Sequence, residues 1–108
     1  MSAKDIPRLH VLTDAALYPG RDHASIAKAA VEGGAGAVQF REKRPWTTRE
    51  LLEAARAVTE ICRGAGVLAV ISDSADVALS VGAGAVHLGR NDLDVRTARE
   101  ILGPGAVI

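Results

Sequence analysis

Gly34-Ala35-Gly36-Ala37-Val38-Gln39-Phe40 and Gly82-Ala83-Gly84-Ala85-Val86-His87-Leu88 match residue for residue in type. Each stretch passes from small residues into a short apolar run around valine, which reads as a buried strand entered through a glycine turn. Each also carries one polar residue at the same place, Gln39 in the first and His87 in the second. In a barrel of parallel strands, alternate strands fill the same interior layer, so polar residues at equivalent places on strands two and four face one another across the lumen. An open sheet gives the match no such meaning. An open dinucleotide-binding sheet would also carry a G-x-G-x-x-G turn after its first strand, whereas Thr13-Asp14-Ala15 follows here. The repeat therefore favours the barrel.

Outward from the repeat, strands and helices alternate. Leu9 to Thr13 predicts a first strand, and Asp22 to Glu32 a first helix closed by Gly33-Gly34. After the second strand, Ala37 to Phe40, Thr47 and Glu50 have capping-box spacing, and Leu51, Ala55, Val58 and Cys62 form the buried stripe of the helix they open. Gly64 and Gly66 end that helix. Val67 to Ile71 is a third strand, and Asp73 or Ser74 caps a helix through Val77, Ala78 and Val81 that Gly82 stops. Ala83 to Leu88 is the fourth strand and Asp94 to Leu102 the fourth helix, after which Ala106-Val107-Ile108 begins a fifth strand.

Near-continuous apolar strands joined by helical crossovers require a parallel sheet covered by helices. The expected fold is α/β, the N-terminal half of a TIM (β/α)8 barrel, with four βα units plus the start of strand five in a single partial domain over residues 1–108. A closed barrel takes about 250 residues. The chain is therefore expected to belong to a longer polypeptide or to pair as a homo-oligomer, since unpaired edge strands and an uncovered inner face invite association.

Apolar residues make up 48% and charged residues 24% of the sequence, which fits a folded domain and excludes the charge-rich composition of disorder. The formal net charge is zero, so neither nucleic acid nor an anionic membrane is the expected partner. Met1 to Arg8 is short and polar without a signal-peptide core, and no apolar run reaches about 18 residues, so a cytoplasmic protein acting on a small molecule is expected. The single cysteine, Cys62, has no intrachain partner and falls at core spacing with Val58.

In parallel α/β folds the loops after the strands carry the site. Here they hold Thr13 and Asp14, then Arg41 and Lys43, then Ser72 and Asp73, then Gly89 and Asp92. Gln39, Arg41 and Lys43 share one parity and should project inward, while Val38 and Phe40 face the helices. A guanidinium fork beside a compact ammonium suits phosphate recognition, although an Arg-Glu-Lys run taken alone also suits a solvated loop. Asp73 and Asp92 follow different strands and could together hold Mg2+, with water and phosphate oxygens completing the shell; capping is the alternative role, for Asp73 especially. His87 has inward parity and either contacts substrate or is a hydrogen-bonded core residue. Trp46 either covers a ring or, as we expect, anchors its loop.

Leu12-Thr13-Asp14, Gly20-Arg21-Asp22, Val38-Gln39-Phe40-Arg41-Glu42-Lys43, Ser72-Asp73 with Asp76-Val77-Ala78-Leu79, and Val86-His87-Leu88-Gly89 before Asp92 occur in that order. Together they resemble the thiamine phosphate synthase and thiazole tautomerase superfamily over almost the whole chain. The Gln-x-Arg-Glu-Lys segment is the most specific part, paired with His-Leu-Gly-x-x-Asp. The resemblance implies Mg2+-assisted coupling of a hydroxymethylpyrimidine diphosphate with a thiazole phosphate, giving thiamine phosphate and diphosphate through a pyrimidine-stabilised cation. It implies that Gln39, Arg41, Lys43 and Ser72 hold the pyrimidine diphosphate, that Asp73 and Asp92 bind Mg2+, and that His87 lies beside the pyrimidine, with Arg41, Lys43 and His87 as the catalytic set.

Two departures stand out, because the family usually has Asn where Ser72 stands and Gln where Arg90 stands. Tautomerase relatives tend to lack the full Mg2+ and diphosphate set, so Asp73 and Asp92 tilt the reading toward a synthase. In the family a second half brings further phosphate loops, a later lysine and the thiazole phosphate site, so this stretch alone is expected to be inactive. A phosphate-binding half-barrel without catalysis is the other reading of the same residues.

Overall fold

Short β-branched runs and capped helices alternate in the computed structural model, which describes residues 5–108. Residues 1–4 of the expected polar amino-terminal stretch lie outside the described residues. The strands are β1 (His10–Leu12), β2 (Ala37–Phe40), β3 (Leu68–Ser72) and β4 (Ala85–His87). Each is followed by a helix: α1 (His23–Glu32), α2 (Thr48–Ala65), α3 (Ala75–Val81) and α4 (Val95–Leu102), with a short 3-10 turn at Ala15–Leu17 ahead of α1. All pairings are parallel and the sheet order is β1-β2-β3-β4. Val107 bridges Ala85 in parallel, which places the expected fifth strand beside β4.

The helix ends follow the cap chemistry. Asp22 accepts from the Ser25 N–H and Ser25 returns the bond, a capping box at α1. Thr47 and Glu50 do the same at α2, as their spacing predicts. Gly66 and Gly82 close α2 and α3 in the left-handed conformation that costs glycine least. Gly64, expected near that end, falls inside α2. The α3 cap position belongs to Ser74, without a side-chain bond, which frees Asp73 from a capping role.

Strand parity sorts the two faces. Val38, Phe40, Ala69, Ile71 and Val86 pack against the helices, where Ala55, Val58 and Cys62 of α2 are fully buried and Leu51 sits partly buried at the rim. Ala37, Leu68, Val70 and Ala85 form a second apolar cluster on the opposite face, with Val107 against it. Val70 is thus the residue that β3 turns inward, while Ala69 faces the helices. No helix among the described residues is long and apolar enough to cross a membrane.

The register of the sheet gives the repeat a geometric meaning. Gln39 pairs with Val70, and Val70 with Ala85. The repeat equivalent of Gln39 is His87, two residues beyond Ala85 after two strand steps. Equivalent positions of the repeat are thus offset by one residue per strand.

Candidate active site

Polar groups gather where the strands end. Arg41 and Lys43 extend β2 with the parity of Gln39, and each cation meets a carboxylate from a neighbouring strand. Arg41 donates to Asp14, beyond β1, and Lys43 donates to Asp73, beyond β3. The Ser72 hydroxyl donates to the other Asp73 oxygen at 3.0 Å. The Asp73 N–H donates to the His87 carbonyl at 2.8 Å, which ties this turn to β4.

Asp73 has φ of 74° and is the only non-glycine at positive φ among the described residues. Aspartate tolerates this region better than most L residues, but such conformations persist where the surroundings impose them. Burial alone would raise its pKa, yet the hydrogen bonds from Lys43 and Ser72 and the Lys43 charge hold the carboxyl below its ordinary value. Asp92 is oriented by its own turn, where the Gly89 N–H donates to Oδ2 at 2.7 Å. A Cβ on Gly89 would stand 3.1 Å from that same oxygen, so glycine is what permits so close an approach.

The structure thus places Asp73 just beyond β3 and Asp92 beyond the neighbouring β4, at the same end of the sheet. Among the described residues no group of three or more His, Cys, Asp or Glu side chains could hold a metal. Two carboxylates fit Mg2+ nonetheless, since that ion commonly takes one or two from the protein and completes its octahedron with water and phosphate oxygens.

Gln39 and His87 line one cavity of about 150 Å³ on the inner face, together with Val70, Ala85 and Val107. Gln39 is buried and His87 exposed. Ser72 and His87 are register partners on β3 and β4. Trp46 packs edge-on against His23, with ring centroids 5.5 Å apart, and its face carries the Arg44 guanidinium at 4.9 Å; it anchors the loop.

Sequence reasoning passed over a second group on the helix side. Glu42 continues the outward parity of Val38 and Phe40, and its side chain is fully shielded from solvent. It meets His23 Nε2 at 3.0 Å and accepts from the Arg44 side chain and backbone. Arg44, and in second measure His23, lower the Glu42 pKa to about 2 against a burial effect that would raise it. His23 Nδ1 lies 2.6 Å from Thr13 Oγ1, and that oxygen accepts the Arg41 N–H at 3.3 Å. The available signal was the parity of Glu42; nothing local to His23 announced its partners. Asp14 was placed after the first strand, but its pairing with Arg41 had no sequence signal.

A parallel α/β protein with cations and carboxylates alternating along the carboxyl ends of its strands is the class defined here. Within that class the chain belongs to the thiamine monophosphate synthase family, whose profile matches residues 9–108. The thiamine-phosphate synthase of Salinibacter ruber is 44% identical over 105 residues, covering 97% of this chain and 46% of that protein. That of Methanoculleus marisnigri is 47% identical over 100 residues, covering 93% of this chain and 47% of its own length. The solved thiamine phosphate pyrophosphorylase from Pyrococcus furiosus superposes with a TM-score of 0.80 at 35% identity, covering 92% of this chain and 46% of that one. The chain spans about half the length of these relatives.

Proposed function

We propose that this chain carries the pyrimidine diphosphate half of a thiamine phosphate synthase site, built on the amino-terminal half of a (β/α)8 barrel. The observation that carries the reading is the gathering at one end of the sheet of Arg41 and Lys43 after β2, Asp73 after β3 and Asp92 after β4, with Lys43 donating to Asp73. The likeness to synthases of about twice the length supports the barrel.

Arg41 and Lys43 would bind diphosphate oxygens, the first as a fork and the second as a point charge. Ser72 and Gln39 would add hydrogen bonds, and His87 would stand beside the pyrimidine at the cavity it shares with Gln39. Asp73 and Asp92 would hold Mg2+, which when bound would neutralise charge building on the departing diphosphate. The synthase reading is preferred to a tautomerase because both carboxylates are present at the strand ends. A cytoplasmic setting and small phosphorylated substrates complete the proposal.

Incubation with hydroxymethylpyrimidine diphosphate, thiazole phosphate and Mg2+ tests it. Mg2+-dependent binding of the pyrimidine diphosphate without turnover is expected of the 108-residue chain by itself. Thiamine phosphate formation by a monomer of this chain would overturn the half-site reading, and absence of Mg2+-dependent binding would overturn the site.

A further inference from the structure

We infer that His23 is a positioning residue for the anion-binding mouth, acting through Thr13 and Glu42 to fix the segment that presents Arg41 and Lys43. The inference rests on the proposed reading of that mouth. His23 opens α1 and is 2% exposed, wedged between Phe40, at 4.6 Å between ring centroids, and Trp46. Both ring nitrogens have partners from different strand ends, Thr13 after β1 and Glu42 after β2.

Proton accounting fixes the direction of the chain. The Glu42 carboxylate can only accept, so His23 Nε2 carries a proton, and in the neutral imidazole Nδ1 then accepts from the Thr13 hydroxyl, whose oxygen also accepts the Arg41 N–H. The ring proton then sits on Nε2 and is donated to the Glu42 carboxylate, whose oxygens also accept from Arg44. The run reads Arg41 N–H to Thr13, Thr13 O–H to His23, His23 N–H to Glu42. It begins at the backbone of one proposed diphosphate ligand and ends on the residue between the two.

That placement matters because successive side chains in extended backbone point to opposite faces. Holding Glu42 on the helix side turns Arg41 and Lys43 toward the mouth. With the link to Glu42 gone, a buried carboxylate loses a donor and the Arg41-Glu42-Lys43 segment loses its fixed face, so the cations meet the anion less well organised.

Two substitutions separate positioning from mere packing. In His23→Gln the amide nitrogen can replace Nε2 and still reach Glu42, whereas His23→Asn can replace only Nδ1 and serve Thr13. Inorganic diphosphate titrated by calorimetry into the intact protein with Mg2+ present supplies the readout, alongside thermal melting and an Arg41→Ala control. We expect His23→Gln to bind within about threefold of the parent, and His23→Asn roughly tenfold more weakly, at a melting temperature close to that of His23→Gln. Equal affinity of His23→Asn and parent, with Arg41→Ala weakened, overturns the positioning role and leaves the mouth intact. Equal losses in both His23 variants, matched by equal falls in melting temperature, also overturn it. Unchanged binding in Arg41→Ala overturns the mouth and this inference with it. Nitrogen NMR of the unsubstituted protein gives an arm independent of variant folding: the Nε2–H tautomer is expected at His23, and the Nδ1–H tautomer contradicts the chain.

Discussion

The Lys43 ammonium donates to the Asp73 carboxylate, so a cation from the end of β2 and an anion from the end of β3 occupy one another at the mouth. A metal ion taking Asp73 competes with that ammonium, while a diphosphate offers the ammonium another partner. Mg2+ and diphosphate are therefore expected to strengthen each other's binding by the same factor, at least about fivefold. Titration of Mg2+ with and without inorganic diphosphate checks this. Equal Mg2+ affinity in both conditions contradicts it.

The positive φ of Asp73 gives a prediction about stability. Valine at this position would carry a β-branched side chain into left-handed backbone and should cost about 1–3 kcal/mol. Glycine relaxes the backbone while losing the Lys43 contact, so Asp73→Gly should stay within about 1 kcal/mol of the parent. Urea unfolding of both variants measures the difference, and equal destabilisation by the two would remove backbone strain as the cause.

Glu42 makes the fold sensitive to acid in a defined window. Its folded pKa is depressed from 4.5 to about 2, so the stabilisation is complete above the unfolded value and lost as pH falls through the folded one. At neutral pH the contribution is on the order of 2–3 kcal/mol, taking into account that Arg44 is itself partly exposed. Glu42→Gln should therefore flatten the loss of stability between pH 4.5 and about 2. An unchanged pH dependence of unfolding would show that other carboxylates govern that range.

Much of this architecture was legible because burial leaves a periodic trace. Val38 and Phe40 against the helices, Gln39 inward, and Leu51, Val58 and Cys62 at helical spacing all follow from parity and period. The capping boxes read equally well, since Thr47 and Glu50 interact within one turn. Contacts between distant segments left no such trace. Thr13 and His23 are ten residues apart, His23 and Glu42 nineteen, and only the packing of α1 over β2 brings them into one line. The same holds for Arg41 with Asp14 and for the left-handed turn that aims Asp73.

The inner face predicts association. Ala37, Leu68, Val70 and Ala85 form an apolar cluster on the side of the sheet away from the helices, and β1 lies at an edge with Leu12 40% exposed. Purified alone, the 108-residue chain is expected to form dimers or larger species that cover this face. Size-exclusion chromatography with light scattering decides the point, and a well-folded monomer at high concentration would rule the association out.

Arg41, Lys43, Asp73 and Asp92 are proposed to act as one Mg2+-dependent diphosphate site. Calorimetric titration of hydroxymethylpyrimidine diphosphate with Mg2+ into the parent, Asp73→Ala, Asp92→Ala and Arg41→Ala measures this. The predicted result is a loss of about 2 kcal/mol or more in each variant, with the Mg2+ dependence gone in the two aspartate variants. Binding to Asp73→Ala and Asp92→Ala that is as tight and as Mg2+-dependent as in the parent would contradict it.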